Sequence, residues 1–195
     1  MRIVTMVYFA FTSSLMSIMS SRVHGDEGMW LFNSLPKEQL KEKYDFDATD
    51  DWASHVQLSS VRFNSGGSAS FRSSDGLVLT NHHVAAETLY KLSSADRNLA
   101  SDGYLAENPS DELKAPDLEL NQLVSIEDVT EQVNGAVTDD MDPSEASQAR
   151  QAAMAQIEQR SKESTGLRSD VITLYGGGRY HLYLYKRYTD VRLVW

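Results

Sequence analysis

Hydrophobic positions along the chain change texture several times, and each change predicts an element. Residues 3–19 are mostly apolar behind a single positive residue, Arg2, with an interruption at Thr12-Ser13-Ser14. Val23-His24-Gly25 then offers small or tolerated residues ahead of a cleavage point, so residues 1–25 read as a secretory signal and the mature chain starts at Asp26. The apolar run is short for a bilayer span of about 20 residues, so no membrane span is expected in the mature form. Between Leu35 and Tyr44, Pro36 suits a first helical turn and the charges are spaced for a short exposed helix. From Val56 to Phe63 the residues alternate and are β-rich. Gly66-Gly67 breaks that run, and 68–72 and 76–80 read as two strands joined by the turn Ser73-Ser74-Asp75-Gly76.

A short helical pattern begins at His83 and runs through Tyr90. Residues 118–126 predict another strand, and 143–163, rich in Ala, Gln, Glu and Arg with Pro143 at the start, predict a helix. The tail alternates around Gly176-Gly177-Gly178, which predicts a β-hairpin over 171–188 and a third strand over 190–195. The pattern is mainly β with peripheral helices. Because Arg192-Leu193-Val194-Trp195 is still strand-like, the natural domain is expected to continue past the last residue.

Composition narrows the class. The 195 residues are 41% apolar and 24% charged, which suits a chain able to bury a core rather than a disordered one. The formal charge of −10 is spread without a basic stripe, and neutralising a phosphate backbone needs clustered Lys and Arg, so nucleic acid is not an expected partner. There is no cysteine, so thiols say nothing of the redox compartment. The signal segment alone predicts export.

The chemistry concentrates in Gly76-Leu77-Val78-Leu79-Thr80-Asn81-His82-His83-Val84. A hairpin that delivers an aliphatic strand, then Thr, then His where a short helix begins is how a two-barrel serine peptidase presents its general base. An imidazole suits that role because its ordinary pKa, about 6.5, lets it take the serine proton and return it to the leaving amine near neutral pH. His83 directly precedes Val84 and is the candidate catalytic residue; His82 is read as a neighbour.

Several segments in order, among them Met29-Trp30, Gly66-Gly67, 76–83, Asp102-Gly103-Tyr104-Leu105-Ala106, Glu127-Asp128-Val129-Thr130, Leu174-Tyr175-Gly176-Gly177 and 183–194, resemble the bacterial serine dipeptidyl-peptidases of serine peptidase family 46. The resemblance runs from Asp26 to Trp195. It implies a chymotrypsin-like double β-barrel with an inserted helical domain, of which 26–195 would be the N-terminal portion. It also implies removal of dipeptides from the free N-terminus of oligopeptides, a periplasmic or cell-surface location, a homodimer, and no metal or organic cofactor. The family's base matches His83; its orienting Asp and nucleophilic Ser would fall beyond Trp195, so this stretch alone is expected to be inactive. The family usually carries cysteines where this chain has Ala69 and Val84, as if packing replaced a disulfide.

Two rival readings have their own residues. A periplasmic endoprotease of the HtrA type also writes an aliphatic strand, Thr-Asn and His-Val, and Asp117 or Asp128 would then be candidate orienters. The plainer reading of Asp128 is a turn or helix-cap residue. A secreted remnant without catalysis is the non-enzymatic rival, since no Gly-x-Ser-x-Gly signature occurs in the chain. Tyr175, Tyr180, Tyr183, Tyr185 and Tyr188 could form a platform for a ligand, but aromatic residues are common in strands and packing explains them. Gly176 to Gly178 lack the following helix and Lys-Ser/Thr of a phosphate loop and are read as a hairpin turn.

Overall fold

The computed structural model describes Asp26 and residues 28–195; the expected signal segment, residues 1–25, lies outside them. The chain divides into two units, Met1–Leu31 and Phe32–Trp195. In the first, the described residues have no regular structure and Met29 is almost fully exposed. The second carries the fold, and no described helix is long and apolar enough to cross a membrane.

Helix α1 (Lys37–Tyr44) starts one residue after the expected point, with Pro36 as its N-cap, and stops where Asp45 turns left-handed at φ 50°. Helix α2 (Asp50–Ser59) was not expected. The Thr49 side chain accepts the Trp52 N–H at 3.1 Å, and Asp50 and Asp51 place negative charge in the first turn. Residues 56–59, read above as strand, are therefore the last turn of this helix, and β1 (Ser60–Phe63) begins after it. The alternation Val-Gln-Leu-Ser fits a period of two, but the capped turns upstream carry the helix through it and leave Leu58 exposed.

The expected hairpin forms as β2 (Ser68–Phe71) and β3 (Val78–Thr80), followed by α3 (His82–Leu92) and the single turn α4 (Leu99–Asp102). Then come β4 (Leu113–Lys114), β5 (Leu120–Asp128), the short α5 (Thr130–Asn134) and the long α6 (Pro143–Thr165). Asp142 caps α6 in a reciprocal box with Glu145, and Gly166 closes it at φ 69°. The hairpin β6 (Arg168–Leu174) and β7 (Arg179–Tyr188) follows, then β8 (Arg192–Leu193). The expected third strand of the tail leaves the hairpin and pairs with β4 instead, Leu113 opposite Leu193.

Six strands form one antiparallel sheet in the order β3-β2-β1-β5-β7-β6. The fold is thus mainly β with helices, as expected, but these residues close no barrel. The edges β3 and β6 do not pair, and the other sheet has two strands. On β6 the Val171 N–H donates instead to the Glu158 carboxylate of α6 at 2.7 Å, which covers part of that edge.

Alternation along the strands sends Val61, Phe63 and Leu120 to one face, where Ala69, Phe71, Val78, Val84 and Tyr188 pack on them. Farther along the sheet, α5 and α6 supply Val133 and Ile157 to a second cluster with Val129, Tyr180 and Leu182. The opposite face carries Arg62, Asn121, Arg168, Asp170, His181, Tyr183 and Tyr185, as the cross-strand registers require.

Candidate functional site

His83 owes its position to a chain of local constraints. Gly76, at φ 93°, lets the 73–76 turn reverse, and the Arg72 N–H donates to the Leu77 carbonyl at 2.8 Å. The Thr80 hydroxyl donates to the Ser68 carbonyl at 2.9 Å, tying the last residue of β3 back to β2. Asn81 is the N-cap, and the Val84 N–H donates to its carbonyl at 3.0 Å.

Packing fixes the rotation of α3. Val84 faces the cluster of Val61, Phe63 and Leu120, and Thr88 and Leu89 are buried farther along the helix. Gly67, at φ 92°, comes so close that a Cβ on it would lie 2.7 Å from Cγ2 of Val84. With that side inward, the rings of both His82 and His83 stand exposed. Glu87, one turn after His83, is bound to Lys91 at 2.8 Å, and that hydrogen bond holds its carboxyl below the usual range. Ala69 and Val84, where the resemblance leads one to expect cysteines, both pack on the same apolar cluster.

Of the two aspartates of the endoprotease reading, Asp128 has its carboxylate committed in a turn and Asp117 is held through its backbone. Asp128 ends β5, three places along the sheet order from β3, and accepts the Thr130 N–H at 2.9 Å, the turn role expected of it. Its carboxyl is held low by hydrogen bonding from Thr130, with a smaller contribution from His181. Asp117 occupies a left-handed position at φ 60°, and its carbonyl accepts from the Asn64 side chain at 2.9 Å.

The tyrosines split between environments. Tyr180 is core, and Tyr188 meets Phe71 edge-on at 5.7 Å while its hydroxyl donates to Gln122 at 3.0 Å. Tyr183 and Tyr185 lie on the other face with centroids 6.3 Å apart, and burial raises both phenols. Gly176 and Gly177 adopt positive φ in a hairpin turn that leads into a strand, not a helix. Among the described residues no group of His, Asp or Glu is arranged to hold a metal ion.

Two features went unread in the sequence. His181 is 2% exposed and neither ring nitrogen has a hydrogen-bond partner. Arg62 and Arg168 share a cleft with Asn121, Asp170 and Tyr185. The period-two alternation of β7 aligns His181 with Tyr183 and Tyr185, but their partners across β5 and β1 follow only from the register.

An antiparallel sheet whose edge hairpin hands an exposed histidine to a helix start is the sort of frame on which a hydrolase holds a base. The chain belongs to the peptidase S46 family, whose model matches residues 25–195. It is 30% identical over 193 residues to dipeptidyl-peptidase 7 of Capnocytophaga gingivalis, covering 95% of this chain and 27% of that protein. It is also 30% identical over 188 residues to an Asp/Glu-specific dipeptidyl-peptidase of Porphyromonas gingivalis, covering 90% and 26%. The crystal structure of Porphyromonas endodontalis DPP11 with the dipeptide Arg-Asp superposes with a TM-score of 0.73 at 28% identity, covering 87% of this chain and 26% of that one. The chain spans about a quarter of the length of these relatives.

Proposed function

We propose that the complete protein is a serine dipeptidyl-peptidase with a chymotrypsin-like double barrel, and that His83 is its general base. The observation that carries this reading is the exposed imidazole of His83 at a strand-to-helix junction held by Thr80, Gly67 and Val84, in a chain of the S46 family. In the reaction His83 takes the proton of a serine hydroxyl as that oxygen attacks the peptide carbonyl. It then returns the proton to the leaving amine, and the cycle repeats with water on the acyl-enzyme. The serine, the aspartate that holds the imidazole tautomer and the donors for the oxyanion come from the part of the protein outside these residues. The substrates are oligopeptides with a free N-terminus, released two residues at a time, in the periplasm or at the cell surface. No cofactor takes part, and the working form is a homodimer.

Kinetics of the complete gene product on dipeptidyl-coumarin amides test the assignment. His83→Ala lowers kcat by about four orders of magnitude or more, while His82→Ala stays within about tenfold of wild type. Unchanged turnover in His83→Ala would overturn the role of this residue. Cleavage of internal bonds in N-blocked peptides would favour an endoprotease, and a wild-type protein that neither turns over these amides nor reacts with a fluorophosphonate would be the inactive remnant.

A further inference from the structure

The face of the sheet opposite the apolar clusters holds a cleft of about 110 Å³ lined by Arg62, Asn64, Asn121, Arg168, Asp170 and Tyr185, with Phe63 at its edge. An accounting of its hydrogen bonds separates committed groups from free ones. Oδ2 of Asp170 is taken by Arg168, at 2.9 Å to Nε and 2.8 Å to Nη2, while Oδ1 stays an open acceptor beside it. The Asn64 amide donates to the Asp117 carbonyl, and its oxygen accepts the Glu119 N–H. Asn121, 5% exposed, sits at the floor, and its Oδ1 accepts from Arg168 Nη1 at 3.5 Å. Because a guanidinium can only donate, that contact fixes the amide orientation and turns Nδ2 away from Arg168.

What remains is a surplus of donors. Among the described residues, the Arg62 guanidinium has neither an ion-pair nor a hydrogen-bond partner, and Asn121 Nδ2 and the Tyr185 hydroxyl donate to nothing. Arg62 stands directly across from Asn121 in the β1–β5 register. Two guanidinium charges face one carboxylate here, and the neighbouring Arg187–Glu119 pair, at 3.5 Å, is neutral as a unit. A planar monoanion would meet the exposed, unfilled fork of Arg62 while its second oxygen took the Asn121 amide proton.

We propose that this cleft is a carboxylate-binding subsite, in which Arg62, Asn121 Nδ2 and Tyr185 hold the ligand and the Arg168–Asp170 pair forms the wall. The inference does not depend on the role of His83. The carboxylate can come from a free peptide terminus or from an Asp or Glu elsewhere in the complete protein.

Thermal melting of the complete gene product decides between the sources, with acetate, N-acetyl-Ala-Ala-Ala and the C-terminal amide of that peptide as ligands. The blocked amine removes these peptides from any dipeptide release, so failure of the proposed activity leaves this test intact. For a free carboxylate, acetate and the acid raise Tm with concentration and the amide does not. Arg62→Gln then weakens the acid at least tenfold and Arg62→Lys keeps part of the effect. For an internal carboxylate, neither ligand moves Tm, Arg62→Gln lowers it and Arg62→Lys restores it. The proposal is overturned if acid and amide act alike, if Arg62→Gln leaves both Tm and ligand response unchanged, or if Gln and Lys at 62 lower Tm equally.

Discussion

A Cβ placed on Gly67 would lie 2.7 Å from Cγ2 and 2.9 Å from Cγ1 of Val84, the residue that follows His83. This contact couples the first turn after β1 to the start of α3, so the position of the imidazole depends on a glycine sixteen residues earlier. Gly66 has the same positive φ, 93°, but open space around it.

The pair therefore separates backbone strain from displacement of the helix. Gly66→Ala and Gly67→Ala each cost about 1–3 kcal/mol for a side chain at positive φ. Only Gly67→Ala also pushes Val84, and with it His83. The expected result in the complete protein is that both variants lose stability while only Gly67→Ala loses kcat/KM, and that adding Val84→Ala recovers part of that loss. Equal kcat/KM in the two single variants would dissolve the coupling.

His181 presents the opposite case, a buried polar group with nothing to bind. Its Nε2 is 3.6 Å from Oδ2 of Asp128, beyond hydrogen-bond reach, and Nδ1 has no partner. A buried donor or acceptor left unsatisfied costs about 1–3 kcal/mol, so an apolar side chain of similar size removes a penalty. His181→Leu is expected to match or exceed wild type in denaturant midpoint. A drop of more than about 2 kcal/mol would show that the ring nitrogens are satisfied by ordered water, since loss of such partners has that scale.

How far these features could be read from sequence follows the range of the interactions behind them. The 68–80 hairpin was legible because Asp75-Gly76 and flanking alternation are local, and helix α6 because Pro143 and the run rich in Ala, Gln, Glu and Arg after it are local signals. The histidine at the start of α3 was legible for the same reason. Residues 56–59 were misread because their alternation fits a strand, whereas the capped turns before them extend the helix and leave Leu58 exposed. The pairing of β8 with β4 and the meeting of Arg62, Asn121 and Arg168 join segments dozens of residues apart, and one sequence carries no register for them. The double barrel that the resemblance implies is not formed by these residues, whose edges β3 and β6 do not pair; closure depends on long-range pairing, which no local pattern encodes.

Acid should loosen the turn after β5. Hydrogen bonding from Thr130 depresses the Asp128 carboxyl below its ordinary value of 3.8. A depressed folded-state pKa means that the stabilisation is present above the unfolded value and is lost as pH falls through the folded one. Hydrogen exchange at the Thr130 amide, corrected for intrinsic rate, is expected to stay protected from neutral pH down to the ordinary carboxylate value of 3.8 and to lose protection only below it. In Asp128→Asn the acceptor oxygen persists but the titration does not, so the same pH dependence in that variant would rule out Asp128 as its source.

The edge of the sheet gives the last test. Helix α6 is held at its start by Asp142, which accepts from Ser144 and Glu145 at 2.7 and 3.0 Å, and it reaches the sheet through Glu158, which accepts the Val171 N–H at 2.7 Å. Loss of an N-cap costs about 1 kcal/mol, and that loss falls on the whole helix. Loss of the Glu158 carboxylate instead leaves one edge N–H of β6 without its charged acceptor. Asp142→Ala should therefore raise amide exchange through the first turns of α6 and leave Val171 nearly unchanged. Glu158→Ala should raise exchange at Val171 and leave the cap protected. If Glu158→Ala leaves Val171 as protected as in wild type, that N–H has another acceptor and α6 does not guard the edge.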